Sequence, residues 1–128
     1  MIVRTINPNE GVYPATADYV HALEVSSAKR QLFVSGTMGL QVSGKAPDTL
    51  DEQLDLVWAN LRRILNEADM TSDNIVRVTS YLTDPDFAEK NQTARLKALG
   101  KRRVPTTAIV VQTLTPDWLI EIEIIAAA

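Results

Sequence analysis

The sequence predicts an α+β fold of two layers, in which two helices cover one face of a mixed sheet. Three observations carry this. The hydrophobic period alternates along the chain between about two residues and about three to four. The segments fall in the order three strands, helix, strand, helix, two strands. Several strands are apolar on both faces, so a sheet covered by only two helices needs a second cover, which is expected to be another copy of the chain. A length of 128 residues suits one domain, residues 1–128, with a core large enough to need no covalent staples.

The elements follow from local pattern. Ile2 to Thr5 is a short strand. Tyr19 to Val25 and Gln31 to Ser35 are two more, and the turn-like SSAKR between them predicts a hairpin. The helix over DTLDEQLDLVWANLRRILNEADM has Leu54, Val57, Leu61, Ile64, Leu65 and Ala68 at helical spacing. Thr49 and Glu52 fit a capping box before it. Ile75 to Leu82 is a strand. In the second helix Asp84 serves as the cap, Pro85 takes the first helical position and Gly100 ends the run. Thr106 to Gln112 and Leu119 to Ala126 are the last strands, joined through Pro116 and Asp117.

Composition narrows the function. The formal charge is −3, from 13 basic and 16 acidic residues, whereas nucleic-acid binding usually shows as a basic excess or stripe. The one basic run, Lys101 to Arg103, follows a helix and reads as a solvated helix end. With no cysteine there is no disulfide, thiolate zinc site or cysteine nucleophile. No signal peptide or membrane-length apolar run is evident, so a soluble cytoplasmic protein is expected. The single histidine, His21, has no companion ligand and reads as a packed or surface residue. SGTMG lacks the lysine and following helix of a phosphate loop. Asp51, Glu52 and Asp55 sit where a helix start favours acids anyway.

Two features are less bland. Asn91 shares the inward stripe of the second helix with Phe87, Ala94 and Ala98, and a buried amide needs partners. In the last strand Glu121 and Glu123 share one face, while Ile120, Ile122, Ile124 and Ala126 share the other. The pair is either a solvated strand edge blunted by acids or holds a carboxylate in an interface cleft, its pKa raised enough to handle a proton near neutrality.

Particular stretches then stand out in order: GVY, LFVSG, QLDLVWANLRRILNEADM, NIVRVTSYLTDPDFAEKNQ, VPTTAIVV and EIEIIA. Together they resemble the Rid (reactive intermediate deaminase) or YjgF family over nearly the whole chain. The resemblance implies a chorismate-mutase-like fold and a homotrimer whose sheets form a central barrel, with three small-molecule pockets at subunit interfaces. It implies that Glu121 is the pocket carboxylate and that Tyr13, Ser35 and Asn91 line the pocket. It assigns no catalytic role to Glu123. It also implies hydrolysis of enamines and imines, such as 2-aminoacrylate, to keto acids and ammonia without a cofactor.

One position departs from the pattern. Deaminases of this family carry an arginine two residues after the proline, where this chain has Thr107. Threonine lacks the planar fork that grips a carboxylate. The loss of one charged hydrogen bond costs about 1.5–3 kcal/mol, roughly ten- to a hundredfold in affinity. Thr37, where many members have glutamine, is a second difference. The expected substrate is therefore a small reactive nitrogenous compound without the amino-acid carboxylate. Arg102 and Arg103 are poor substitutes for the missing cation unless packing fixes them. The alternative is a non-catalytic trimer that binds a small molecule. The charge balance argues against a ribonuclease or translation-inhibitor role and against nucleic-acid partners, and the lack of a membrane-length apolar run argues against a membrane partner.

Overall fold

A computed structural model describes residues 1–128. The elements are β1 (Ile2–Ile6), β2 (Ala22–Ser26), β3 (Gln31–Met38), α1 (Leu50–Glu67), β4 (Ile75–Leu82), α2 (Ala88–Leu99), β5 (Thr106–Val110) and β6 (Ile120–Ala127). The main sheet has the order β3-β6-β4-β5. β6 runs antiparallel to both its neighbours, and β5 lies parallel to β4. The sheet is mixed, as the alternating periods predict.

β6 holds the centre because its alternation suits both layers. Ile120, Ile122, Ile124 and Ala126 are all buried and join one core cluster with Val78 and Leu82 of β4 and with Leu54, Val57, Trp58, Leu61 and Leu65 of α1. Trp58 belongs to the α1 stripe, whereas Ile64, placed in it by spacing, lies at its edge and is 39% exposed. The Thr49 hydroxyl caps α1 by accepting from the Glu52 backbone N–H at 3.2 Å. Asp84 caps a short 3-10 turn, Pro85–Phe87, that leads into α2. Gln53, buried at the start of α1, donates to the Pro47 and Asp117 carbonyls and accepts from the Leu119 N–H. It thereby ties the loop before β6 to the helix.

The predicted hairpin of β2 with β3 does not form. β2 pairs instead with β1 in a separate two-stranded ribbon. In that register Arg4 faces Glu24, joined through two 3.2 Å hydrogen bonds, and Val3 faces Val25. Opposite charges and β-branched residues set directly across a ladder favour the pairing. β3 finds its partner in β6, and the Lys29 and Arg30 N–H groups both reach the Ala128 carbonyl. Proximity along the chain therefore loses to cross-strand matching.

The buried residues of α2 are two polar ones, Asn91 and Arg95, and Leu99. Arg95 is 4% exposed and donates at 2.8 Å to both the backbone carbonyl and the carboxylate of Asp18. This pair and the 2.8 Å bond from Arg103 to the Ala17 carbonyl pin the segment between β1 and β2. Lys101–Arg103 is thus more than a solvated helix end, since Arg102 also donates to the Ser72 and Ile75 carbonyls. No helix is long and apolar enough to cross a membrane.

Burial alone would raise the Asp18 pKa, but hydrogen bonds from the Thr16 hydroxyl and from Arg95 outweigh it and hold the carboxyl below 3.8. A depressed folded-state pKa stabilises the fold above the unfolded value, and that contribution fades as pH falls through the folded value. Asp18→Ala strands a buried guanidinium and is expected to cost about 3 kcal/mol at neutral pH. Denaturant unfolding should show the gap between wild type and variant closing as the pH is lowered below the ordinary carboxylate range. Equal stability of the two proteins at neutral pH would refute the assignment.

Candidate functional site

The face of the main sheet away from the helices carries Phe33, Ser35 and Met38 from β3, Glu121, Glu123 and Ile125 from β6, Arg77, Thr79 and Tyr81 from β4, and Thr107 and Ile109 from β5. Strand alternation places them together. No element of the chain covers this face, and Phe33 is 70% exposed on it.

Glu121 sits beside an irregularity. Between the pairs Val34–Ile124 and Thr37–Ile122, two residues of β3, Ser35 and Gly36, face the single Glu123 of β6. Such a bulge re-aims side chains locally. The Glu121 carboxylate folds down onto the bare backbone at Gly36, where a Cβ would meet its Oε2 at 2.3 Å. The missing Cβ makes room for the carboxylate, and no unusual backbone angle is involved. The Thr37 hydroxyl donates to the Ser35 carbonyl at 2.9 Å and steadies the bulge. The second glycine of SGTMG serves the packing layer: a Cβ at Gly39 would strike the Gln53 carbonyl oxygen at 2.2 Å.

The other expected site residues are scattered within one chain. Ser35 lies at the bulge next to Gly36, where the Glu121 carboxylate sits. Thr107 shares their face but stands across β4, since its ladder partner is Thr79. Asn91 lies in the helix-side layer, 2% exposed, and its Oδ1 has no hydrogen-bond partner. Tyr13 lies between β1 and β2, 71% exposed, with its ring edge-on to His21 at 5.0 Å. His21 is held by Asn7 and by the Tyr13 carbonyl. No cluster of three or more His, Asp or Glu residues is arranged to hold a metal ion.

Two residues that the sequence reading passed over complete this face. The Tyr81 hydroxyl donates to the Glu123 carboxylate, and the Arg77 guanidinium donates to the Thr107 hydroxyl at 2.9 Å. The signal was present in IVRVTSYL, where alternation puts Arg77, Thr79 and Tyr81 on one face, but the pairing of β4 with both β5 and β6 was needed to show what they meet. Arg102 and Arg103 are occupied elsewhere. A concavity of about 380 Å³ lies along the face, lined among others by Arg77, Thr79, Tyr81, Thr107 and Glu123.

Residues 11–128 match the profile of the family described as endoribonuclease L-PSP. A RutC family protein of Aquifex aeolicus is 34% identical over 112 residues, covering 84% of this chain and 86% of that one. The RutC family protein YjgH of Escherichia coli is 29% identical over 127 residues, covering 98% and 96%. Among solved structures, a Yersinia pestis protein of unknown function from the conserved Rid family, YyfB, superposes with a TM-score of 0.85 at 29% identity, covering 100% of both chains. The chain belongs to the endoribonuclease L-PSP family, whose members here carry the Rid and RutC names. Its architecture is the chorismate-mutase-like α+β fold that the sequence resemblance implied.

Gly36→Ala is expected to displace the Glu121 carboxylate while costing about 1 kcal/mol or less, because the atom that must move ends a flexible side chain. Carboxylate chemical shifts of Glu121 and the unfolding midpoint test this together, and an unmoved Glu121 signal would be decisive against it. Tyr81 has its pKa raised above 10.0, chiefly by the hydrogen bond to Glu123. Desolvation and the negative charges of Glu123 and Glu121 add to this, and Arg77 opposes it. A raised folded-state pKa stabilises the fold below the unfolded value, and that contribution is lost as pH rises through the folded value. Spectroscopic titration of Glu123→Gln should show the phenol ionising at lower pH than in wild type.

Proposed function

We propose that the protein is a Rid-like hydrolase that deaminates a small, reactive imine or enamine. The observation that carries this reading is the Glu121 carboxylate, seated against bare backbone at the Ser35–Gly36 bulge on an uncovered sheet face. A carboxylate held this way can orient a water molecule and accept its proton. Water oxygen bonds to the imine carbon, the C=N π bond opens, and the nitrogen takes a proton. The resulting carbinolamine then expels ammonia and leaves a carbonyl. An enamine first tautomerises to the imine. The step needs no redox partner.

The site is completed in a homotrimer. This is supported by the exposure of Phe33 and Ile109 on the uncovered face and by the separation of Thr107 and Tyr13 from Glu121 within one chain. Tyr13, Ser35 and Thr107 are the lining residues of the interface pocket in this reading. Asn91 is the fourth lining residue in this reading, and its free Oδ1 acceptor is buried in the helix-side layer.

The decisive assay follows ammonia release from enzymatically generated 2-aminoacrylate and from an imine lacking a carboxylate, each against its spontaneous rate. Wild type should accelerate at least one of them, and Glu121→Gln should lose about a hundredfold or more of that acceleration. Light scattering at micromolar concentration should give the mass of three chains. Release no faster than the spontaneous rate for either compound would overturn the hydrolase reading and leave a non-catalytic binding protein. Despite the family's name, nuclease-free preparations are expected to leave RNA uncut, because an acidic chain offers little phosphate attraction.

A further inference from the structure

We propose that Arg77 is a carboxylate receptor, held ready by Thr107, and that the ligands of this protein carry a short carboxylate after all. The inference deepens the hydrolase reading and rests on it for the word substrate, though the binding site itself stands on separate observations.

The first observation is a charge left free. Arg77 takes part in none of the four ion pairs of the chain. Its only side-chain hydrogen bond is the 2.9 Å bond to Thr107, from one of its five N–H donors. The second is where the nearby carboxylate goes. Across the β4–β6 ladder Arg77 faces Ile125, and Thr79 faces Glu123. Arg77 and Glu123 are therefore diagonal neighbours, within reach of long side chains. They do not pair. Arg77 leans towards β5 and the Thr107 hydroxyl, while Glu123 leans the other way and accepts from Tyr81. The concavity of about 380 Å³ is lined by both groups and by the two residues that hold them apart. Two opposite charges kept from neutralising each other leave the guanidinium's remaining donors available to an incoming anion.

The third is the character of the face. It carries Phe33 and Ile109 as well as these charges, and nothing in the chain covers it. Covering it would take the guanidinium out of water, and an unpaired buried charge is costly. A cover therefore favours an anion on Arg77. A carboxylate fits the planar fork with two parallel hydrogen bonds. A concavity of about 380 Å³ has room for a small compound. Thr107 is then a positioning residue: its hydroxyl accepts from the guanidinium and sets the plane of the fork. The threonine at this position need not remove a carboxylate subsite, because the charge arrives from the neighbouring strand.

The test uses full-length protein with propionate and propionamide as probes, read by calorimetry or by chemical-shift titration, alongside light scattering. Wild type should prefer propionate at least tenfold. Arg77→Gln should lose that preference, by about ten- to a hundredfold, while keeping the wild-type mass. Thr107→Val should weaken propionate binding and Thr107→Ser should restore it. Tyr81→Phe should also weaken it, because a released Glu123 competes for Arg77. A purely structural tyrosine would not change acid-over-amide selectivity. In turnover, Arg77→Gln should raise KM for 2-aminoacrylate more than it lowers kcat.

Equal binding of acid and amide by wild type would overturn the proposal. So would an Arg77→Gln protein that keeps the preference. An Arg77→Gln protein that changes mass would also overturn it, making Arg77 a subunit-to-subunit ion-pair residue. Should wild type bind propionate through Arg77 yet hydrolyse no imine, the hydrolase reading fails and the receptor stands.

Discussion

Strand β6 must satisfy two environments at once, and much of the molecule follows from that. Its period of two sends Ile120, Ile122, Ile124 and Ala126 into the helix-side core and Glu121, Glu123 and Ile125 to the opposite face. A one-residue slip against β3 or β4 would exchange these sets, burying two carboxylates beneath α1 and exposing the isoleucines. Register is therefore strongly specified on both sides of the strand. The buried face supplies stability, roughly 1.5–3 kcal/mol for each large aliphatic side chain taken from water. The same alternation delivers acidic chemistry to the other face.

The chemistry is arranged by small departures from regular pairing. The bulge at Ser35–Gly36 lets two residues of β3 answer one of β6, and the missing Cβ leaves room for the Glu121 carboxylate. A regular ladder with an alanine at that point would push the group out towards solvent. Gly39 does comparable work in the other layer, where β3 passes close to the start of α1. Gln53 then links that helix start to the loop that feeds β6. Close packing at Gly39 and the hydrogen bonds of Gln53 thus tie β3, the helix start and the last strand together.

Charges elsewhere are paired according to their burial. Arg95 lies under α2 with Asp18 as its partner and two good hydrogen bonds. Arg102 and Arg103 spend their donors on backbone carbonyls at the ends of neighbouring elements. Arg77 contrasts with all of these, and its contact with the Thr107 hydroxyl directs a charge without neutralising it. The family relationship establishes the fold and the general lineage.

What the sequence determined alone was whatever depends on periodicity and on local capping. The helix period of α1, the Thr49 cap, the Asp84–Pro85 start, the bounds of β4 and the two-faced character of β6 are all properties of neighbouring residues, and each was legible. So was the family, because its motifs recur in order along the chain. The tertiary structure decided the partners. SSAKR suggests a hairpin turn, yet β2 joins β1, where Arg4 meets Glu24 and Val3 meets Val25, matches between residues far apart in the chain. In the sequence Arg77 is only one position of a strand, and the parallel ladder of β4 with β5 puts it against Thr107. Strand pairing sums weak cross-strand preferences over many residues and over loop closure, so a single strand carries half of each interaction and cannot disclose the other half. The free charge on the sheet face became visible only once the ladders had aligned β4, β5 and β6.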